Sequence, residues 1–309
     1  MKTDALISVV VPLYNEAGNI RPLLERFRDS LTELNYELIL VDDGSMDNTV
    51  SMIRQFADHR TRLLILARNY GQTTALAAGI EAAQGEFVVT LDGDLQNDPA
   101  DIPLMLNLAQ IGDWDVVAGN RANRQDGLLL RKIPSRVANA LIRRLTGVRL
   151  RDYGCTLKVF RREVAQKLGL YGELHRFIPV LAAMQGARMT QMDVRHHPRV
   201  HGVSKYGLGR IGPVLNDLLL VLFLQRYFRR PMRLFGPLAA LSLLAGLSVG
   251  LYLLVQKLNN AHLNYSLWLI LLAVLLLGGF QLLAFGLIGE MQMRTYFEAS
   301  RKPAYRIRE

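Results

Sequence analysis

Val88-Val89-Thr90-Leu91-Asp92-Gly93-Asp94-Leu95-Gln96-Asn97-Asp98-Pro99 is the stretch around which the chain is organised. Phe87 to Leu91 is a short apolar run rich in β-branched residues, and reads as a buried strand. It stops at two carboxylates separated by Gly93. Pro99 suits the first turn of a helix, with Asp98 as a candidate cap. Asp92, Asp94 and the amide of Gln96 supply hard oxygen ligands at a strand's carboxyl end. Such a set suits Mg²⁺ or Mn²⁺ held together with a substrate diphosphate. An acidic, solvated turn is the alternative, because two Asp around one residue form a weak pattern.

Working backwards from this stretch, Leu6 to Pro12 reads as a strand ending in Tyr14-Asn15-Glu16. An amphipathic helix follows over 19–34. Glu37 to Val41 is a second strand, ending in Asp42-Asp43-Gly44-Ser45, with Asp47 placed to cap the next helix. Leu63 to Leu66 and Val116 to Ala118 read as further strands, with a small-residue helix over Thr73–Ala83 between them. The alternation predicts an α/β domain with a mostly parallel sheet covered on both faces. Ligands collect at the carboxyl ends of such strands, and three strands here end in polar or acidic clusters.

Downstream, the composition changes. The apolar stripe of Ile133, Val137, Leu141, Ile142 and Leu145 is surrounded by Arg131, Lys132, Arg136, Arg143 and Arg144. This predicts an amphipathic helix over 131–146, either lying in a membrane interface or packed on the domain surface. No charged residue occurs over 234–256 or 258–289, and each run can cross ~30 Å of hydrocarbon as a helix. Arginines precede the first run (Arg226, Arg229, Arg230, Arg233) and basic residues follow the second (Arg294, Arg301, Lys302, Arg306, Arg308). The connecting loop carries Lys257 and His262. The positive-inside rule therefore places the large N-terminal region and both termini in the cytoplasm of a multi-pass membrane protein. The expected organisation is a cytoplasmic α/β domain over 1–210, a juxtamembrane helix over 211–231, spans over 232–256 and 266–289, an external loop over 257–265 and a tail over 290–309. No signal peptide is expected at the start.

The formal net charge of +10 admits nucleic acid, anionic lipid or a phosphorylated substrate. Because the arginine clusters flank the apolar runs, a lipid surface is the expected partner and nucleic acid is not. Cys155 is the only cysteine, which leaves no intrachain disulfide and no cysteine zinc site. His196, His197 and His201 lack the spacing of a zinc ligand set.

Val9-Val10-Val11-Pro12-Leu13-Tyr14-Asn15-Glu16, Val41-Asp42-Asp43-Gly44-Ser45 and Asp92-Gly93-Asp94-Leu95-Gln96 resemble, in order, the motifs of family 2 glycosyltransferases. Arg68-Asn69-Tyr70-Gly71-Gln72, Asp152-Tyr153-Gly154-Cys155 and Gly202-Val203-Ser204-Lys205-Tyr206, with two C-terminal apolar runs, narrow the resemblance to polyprenyl-phosphate glycosyltransferases. The bactoprenol glucosyltransferases, aminoarabinose transferases and dolichol-phosphate mannose synthases are the relatives in view.

The resemblance implies a GT-A, Rossmann-like catalytic domain and a nucleotide-diphospho-sugar donor. It further implies a polyprenyl phosphate acceptor and a Mg²⁺ or Mn²⁺ cofactor. Pro12, Tyr14, Glu16 and Gly93 would line the donor site. Val41 and Asp43 would contact the base, although Asp43 also suits a turn. Asp92, Asp94 and Gln96 would handle metal and diphosphate. Arg121, or else a solvated arginine in its place, and the pair Arg199 and Lys205 would face phosphates, the latter two those of the acceptor. Asp152 would meet sugar hydroxyls or position the acceptor, unless it is a turn residue ahead of Gly154. UDP-glucose is the expected donor, with an aminoarabinose or mannose sugar as the alternative, and a homo-oligomer is the expected assembly. A processive polysaccharide synthase is the weaker reading, since Trp114 and Trp268 lie in no Q-x-x-R-W context. A non-catalytic sensor would not need the acidic set.

Overall fold

The computed structural model describes residues 5–122, 133–198, 211–228, 230–259 and 265–300. Contacts divide the chain into two units, Met1–Val221 and Leu222–Glu309.

The first unit is built on a seven-stranded sheet of order β3-β2-β1-β4-β6-β5-β7. Its strands are β1 (Ile7–Leu13), β2 (Tyr36–Asp42), β3 (Thr61–Ile65), β4 (Phe87–Thr90), β5 (Val116–Asn120), β6 (Lys158–Arg161) and β7 (Met189–Asp193). β1 runs parallel to both β2 and β4, with Leu13 opposite Asp42 and Val10 opposite Thr90. This pairing has one decisive consequence. The polar segments after β1, β2 and β4, far apart in sequence, emerge side by side at one sheet edge. Strand order reverses beside β1, and in open α/β sheets that is where the ligand crevice lies.

The helices follow from apolar periodicity. In α1 (Ala17–Ser30), Ile20, Leu23, Leu24 and Phe27 are buried against β-strand residues such as Val9, Val11 and Leu38. In α3 (Gln72–Ala82), Ala75, Leu76 and Ile80 are buried, and small residues let it lie close on the sheet. α2 (Thr49–Phe56) and α4 (Ile102–Ile111) complete this part of the cover. β6, which the sequence does not announce, enters antiparallel between β4 and β5. It has only four residues and begins with a lysine, so it carries neither the length nor the apolar run that marks a buried strand.

The stripe at Ile133–Leu145 forms a helix, α5 (Ile133–Thr146). Two short helices, α6 (Arg162–Ala165) and α7 (Ile178–Met184), precede β7. α8 (Ile211–Tyr227) follows, and the division by contacts at Val221 falls within this helix.

The second unit contains two long apolar helices, α9 (Met232–Leu258) and α10 (Tyr265–Ser300). They pack on one another: Ser242 donates to the Leu275 carbonyl at 2.7 Å, and Gly246 lies against Leu276. Their other faces expose Leu241, Leu247, Leu267 and Val274, among others, each more than 60% accessible. A water-soluble core helix would cover such surface. Length and composition allow both helices to cross a bilayer.

Candidate active site

The first wall of the site is formed by the loops after β1 and β2, which are laced together. The Asn15 amide donates to Ser45 Oγ, and Asn15 Oδ1 accepts from the Met46 amide, both at 2.8 Å. Glu16 donates its amide to Thr49 Oγ1 at 2.8 Å. Asp47 accepts from the Thr49 amide at 2.9 Å and from Ala17 at 3.2 Å, so it ties the starts of α1 and α2 together. Asn15 holds a φ of 53°, a conformation that non-glycine residues adopt at a cost and that recurs at functional sites.

Asp43 is buried, and its carboxylate accepts the Tyr70 and Gly71 amides at 2.7 and 2.9 Å. It thereby folds the 66–71 loop onto the end of β2. Gly44 makes this possible. Its φ is +72°, and a Cβ there would lie 2.5 Å from the Arg68 carbonyl carbon. The sequence reading gave Asp43 to the nucleotide base, whereas its first partners are two backbone amides. Val41 has no exposed surface and packs beneath Gly79 of α3, so its side chain is not presented to a ligand. Pro12, Tyr14 and Glu16 retain part of their surface at this edge.

The acidic pair forms the floor. Asp92 accepts from Gln72 Nε2 at 2.7 Å. Burial and the neighbouring Asp94 raise its pKa to about 7. Asp94 is 8% exposed and accepts from the Gln96 amide at 3.2 Å. Between them, Gly93 has a packing reason to be glycine, since a Cβ would sit 2.2 Å from Leu13 Cδ2. Leu95 holds a φ of 63°, and its carbonyl accepts from Arg26 Nη1 at 3.1 Å. Asp98 caps the following turn by accepting the Ala100 amide at 2.9 Å, as its place before Pro99 predicts.

Two carboxylates crowded together, one of them raised to neutral pKa, are held short of full ionisation until positive charge arrives. Their chemistry therefore fits a divalent cation. The described residues contain no cluster of three acidic, histidine or cysteine side chains able to hold an ion alone. The remaining ligands would have to come from elsewhere, as they do where Mg²⁺ is shared with substrate phosphates.

Behind the floor lies an ion pair. Arg121 donates from Nε and Nη2 to the two Asp152 oxygens at 2.7 and 3.0 Å, with side chains 14% and 8% exposed. Burial opposes the charge on both groups, but their mutual hydrogen bonds prevail: the Asp152 pKa is lowered and that of Arg121 raised. Asp152 also accepts the Gly154 amide at 3.0 Å. Arg121 and Asp152, assigned separately from sequence to phosphate and sugar, therefore first bind each other.

Four residues of this region had no assigned role. Gln72 stood in a quoted motif, but only the fold shows it reaching Asp92. Thr73 and His175 share a buried hydrogen bond of 2.8 Å that anchors the start of α3. Lys158 is 2% exposed and donates to the Cys155 carbonyl. Burial lowers its pKa. A lysine inside an apolar run, Leu157-Lys158-Val159-Phe160, was the available signal. Cys155 is wholly buried, and burial pushes its thiol up to about 11, so it is structural. On the far side, the Gln96 carbonyl accepts the His197 amide at 2.8 Å, and His197 reaches Asp98 at 3.1 Å. Arg199 and Lys205, which follow in sequence, lie outside the described residues.

Residues 8–169 match glycosyl transferase family 2. The chain belongs to that family. It is 44% identical over 313 residues to a dodecaprenyl-phosphate galacturonate synthase of Rhizobium johnstonii, covering 98% of this chain and 92% of that protein. It is 37% identical over 307 residues to an undecaprenyl-phosphate 4-deoxy-4-formamido-L-arabinose transferase of Pseudomonas aeruginosa, covering 97% and 88%. The polyprenyl-phosphate branch expected from sequence is thus the right one, and the chain is a glycosyltransferase. Among solved structures, the glucosyl-3-phosphoglycerate synthase of Mycobacterium tuberculosis in complex with Mn²⁺ and UDP-glucose aligns with a TM-score of 0.55. It shares 19% identity, over 72% of this chain and 79% of that one. That likeness establishes the GT-A, Rossmann-like fold of this glycosyltransferase's first unit.

Proposed function

We propose that this family 2 glycosyltransferase moves one sugar from a uridine-diphospho-sugar to a polyprenyl phosphate at the cytoplasmic face of a membrane. The observation that carries the reading is the convergence of Tyr14-Asn15-Glu16, Asp42-Asp43 and Asp92-Gly93-Asp94 at one sheet edge, in a chain with two apolar helices of membrane-crossing length. An oxygen of the lipid phosphate bonds to the anomeric carbon while the bond from that carbon to the diphosphate breaks. The products are an inverted, phosphate-linked sugar and UDP.

The acceptor is already anionic near neutral pH, so the reaction needs no group to remove a proton. The state of Asp152 suits that view: a carboxylate whose pKa is lowered by a bidentate arginine is a weak base. The difficult part is the charge that develops on the leaving diphosphate. Asp94 and Asp92, with Gln96 beside them, would hold a Mg²⁺ or Mn²⁺ ion. Such an ion, when bound, neutralises charge on the diphosphate. Arg121 would add positive charge from behind through the guanidinium edge that Asp152 leaves free, and Asp152 keeps that edge aimed. Pro12, Tyr14 and Glu16 would line the nucleoside side. Arg199 and Lys205 would receive the lipid phosphate.

The sugar expected from sequence, glucose, gives way here. The two relatives carry galacturonate and 4-deoxy-4-formamido-L-arabinose in their names. We favour galacturonate, on the 44% relative. The purified full chain, given polyprenyl phosphate and each radiolabelled UDP-sugar in turn with and without Mn²⁺, should label the lipid from UDP-galacturonate best. Labelling only from UDP-glucose would overturn the sugar, and no lipid labelling from any donor would overturn the reaction.

A further inference from the structure

We propose that Thr156, held in place by Asn97, is a positioning residue that aims the Asp92 carboxylate at a divalent cation. This deepens, and rests on, the assignment of Asp92 and Asp94 as cation ligands under the proposed function. Asp92 is gripped from two elements. Gln72, at the start of α3, donates from Nε2 to Asp92 Oδ1 at 2.7 Å. The Thr156 hydroxyl, on the turn before β6, is the second hydrogen-bonding partner of the carboxylate and favours its charged form. A carboxylate tied at one point can still turn about its last bond. One tied to two separate elements keeps its plane, as ligating carboxylates do when their outer partners are in place.

Thr156 is fixed for this task. Its carbonyl accepts from Thr90 Oγ1 at 2.7 Å, which binds the turn to the strand β4 that leads into Asp92. Its hydroxyl oxygen accepts from Asn97 Nδ2 at 3.0 Å. A hydroxyl has one hydrogen to give. With Asn97 donating into the oxygen, that hydrogen is left for Asp92, and donation into a hydroxyl strengthens donation out of it.

Asn97 is 4% exposed, and a buried amide is costly unless both of its ends are used. Both are used here: Nδ2 goes to Thr156, and Oδ1 accepts from the buried Cys155 thiol at 3.7 Å. Cys155 is itself seated against Gly119, where a Cβ would lie 2.8 Å from Sγ. The Asn97 backbone is bridged to His196, so the main chain that carries the amide is fixed as well. Packing alone does not call for this polar pair, since replacing both partners of a hydrogen bond by apolar groups of the same shape is nearly neutral. What the pair adds is the third member. Asn97 and Asp92 stand at the two ends of one loop, and Thr156 joins them from outside it. Asp94 and Gln96 lie between the two braced points, so the brace closes around the whole proposed ligand set.

The test reads metal dependence rather than sugar transfer. Binding of radiolabelled UDP to the full chain in nanodiscs is measured over a series of Mn²⁺ concentrations, and the Mn²⁺ concentration that gives half-maximal binding is read for each protein. Thr156→Val keeps the shape and the backbone bond to Thr90 but loses the hydroxyl, and should raise that concentration about tenfold to a hundredfold. Thr156→Ser, which restores the hydroxyl, should return it to the wild-type value. Asn97→Ala should raise it too, and keeps the test open should Thr156→Val misfold. Because the two residues act in one chain, the double variant should differ from Thr156→Val by no more than about twofold. A merely structural brace would lower the unfolding temperature of these variants and leave the Mn²⁺ concentration where it is, which overturns the proposal. Thr156→Ser as impaired as Thr156→Val, or effects of the two sites that simply multiply, overturns it as well. UDP binding by the wild type that ignores Mn²⁺ overturns the cation assignment itself, and this proposal with it.

Discussion

Asp92 and Asp94 stand one residue apart, yet their surroundings differ. Asp92 takes the Gln72 amide at 2.7 Å and is pushed to a pKa of about 7, whereas Asp94 binds the next turn through the Gln96 amide. Asp94→Ala should lower transfer about a thousandfold or more, since a metal ligand contributes several kcal/mol to the transition state. Near-normal turnover by the folded variant, or full wild-type activity in excess chelator, would refute the assignment. Asp92 makes the metal dependence sensitive to pH. Its raised pKa means that the folded protein holds a proton there that the unfolded chain has released. Stability without metal therefore falls as pH rises from the ordinary carboxylate range to about 7. A divalent ion competes with that proton, so Mn²⁺ affinity should be greater at about pH 8 than at about pH 6. Thermal-shift titrations with Mn²⁺ at the two pH values would show it, and an affinity that does not change with pH would count against Asp92 as a ligand. The acidic pair was legible in the sequence because two carboxylates ended an apolar run. The Gln72 contact was not, because a 20-residue separation is closed only when α3 packs on the sheet.

At the scale of elements, the site depends on which strands are neighbours. β1, β2 and β4 could each be read from their β-branched runs, and a parallel sheet brings their polar ends together. Nothing in the sequence places β6 between β4 and β5, where Lys158 stands opposite both Thr90 and Ala118. Nor could periodicity foresee that Val41 faces α3 rather than the nucleotide edge, since a continuous apolar run gives no alternation to read. The pairing of Arg121 with Asp152 is likewise a product of tertiary structure, bridging 31 residues from the end of β5 to the turn before β6. Removing one partner of a buried pair costs about 3–5 kcal/mol, because the other charge is left uncompensated. Asp152→Asn should therefore lower the unfolding temperature of the first unit as well as turnover. Its pKa is lowered in the fold, so its stabilising contribution is present above the ordinary carboxylate pKa and is lost as pH falls through the depressed value. The acid-side loss of stability should accordingly shrink in the variant. Unchanged unfolding across that acid range would mean that the pair does not hold the turn.

At the scale of the whole molecule, the distribution of charge carries the proposal about which side of the bilayer hosts the chemistry. Arg226, Arg229, Arg230 and Arg233 stand before α9 or at its start. Arg294, Arg301, Lys302, Arg306 and Arg308 lie toward or beyond the end of α10, and the segment between the helices has Lys257 and His262. Short basic flanks resist transfer across the membrane, and on that ground we propose that both ends of the helical pair lie on the cytoplasmic side. A nucleotide-sugar donor requires the same placement, because the donor edge of the sheet must meet the pool in which such donors are made. The chain suits a direct test because its only cysteine, Cys155, is completely buried and will not react from either side. Single cysteines introduced as His262→Cys and Ala304→Cys therefore report without background. In intact cells, a membrane-impermeant maleimide should label the cysteine at 262. The cysteine at 304 should react only after the membrane is permeabilised. The reverse pattern would put the glycosyltransferase unit on the opposite face from its donor, and labelling of both sites in intact cells would mean that the two helices do not form a spanning hairpin.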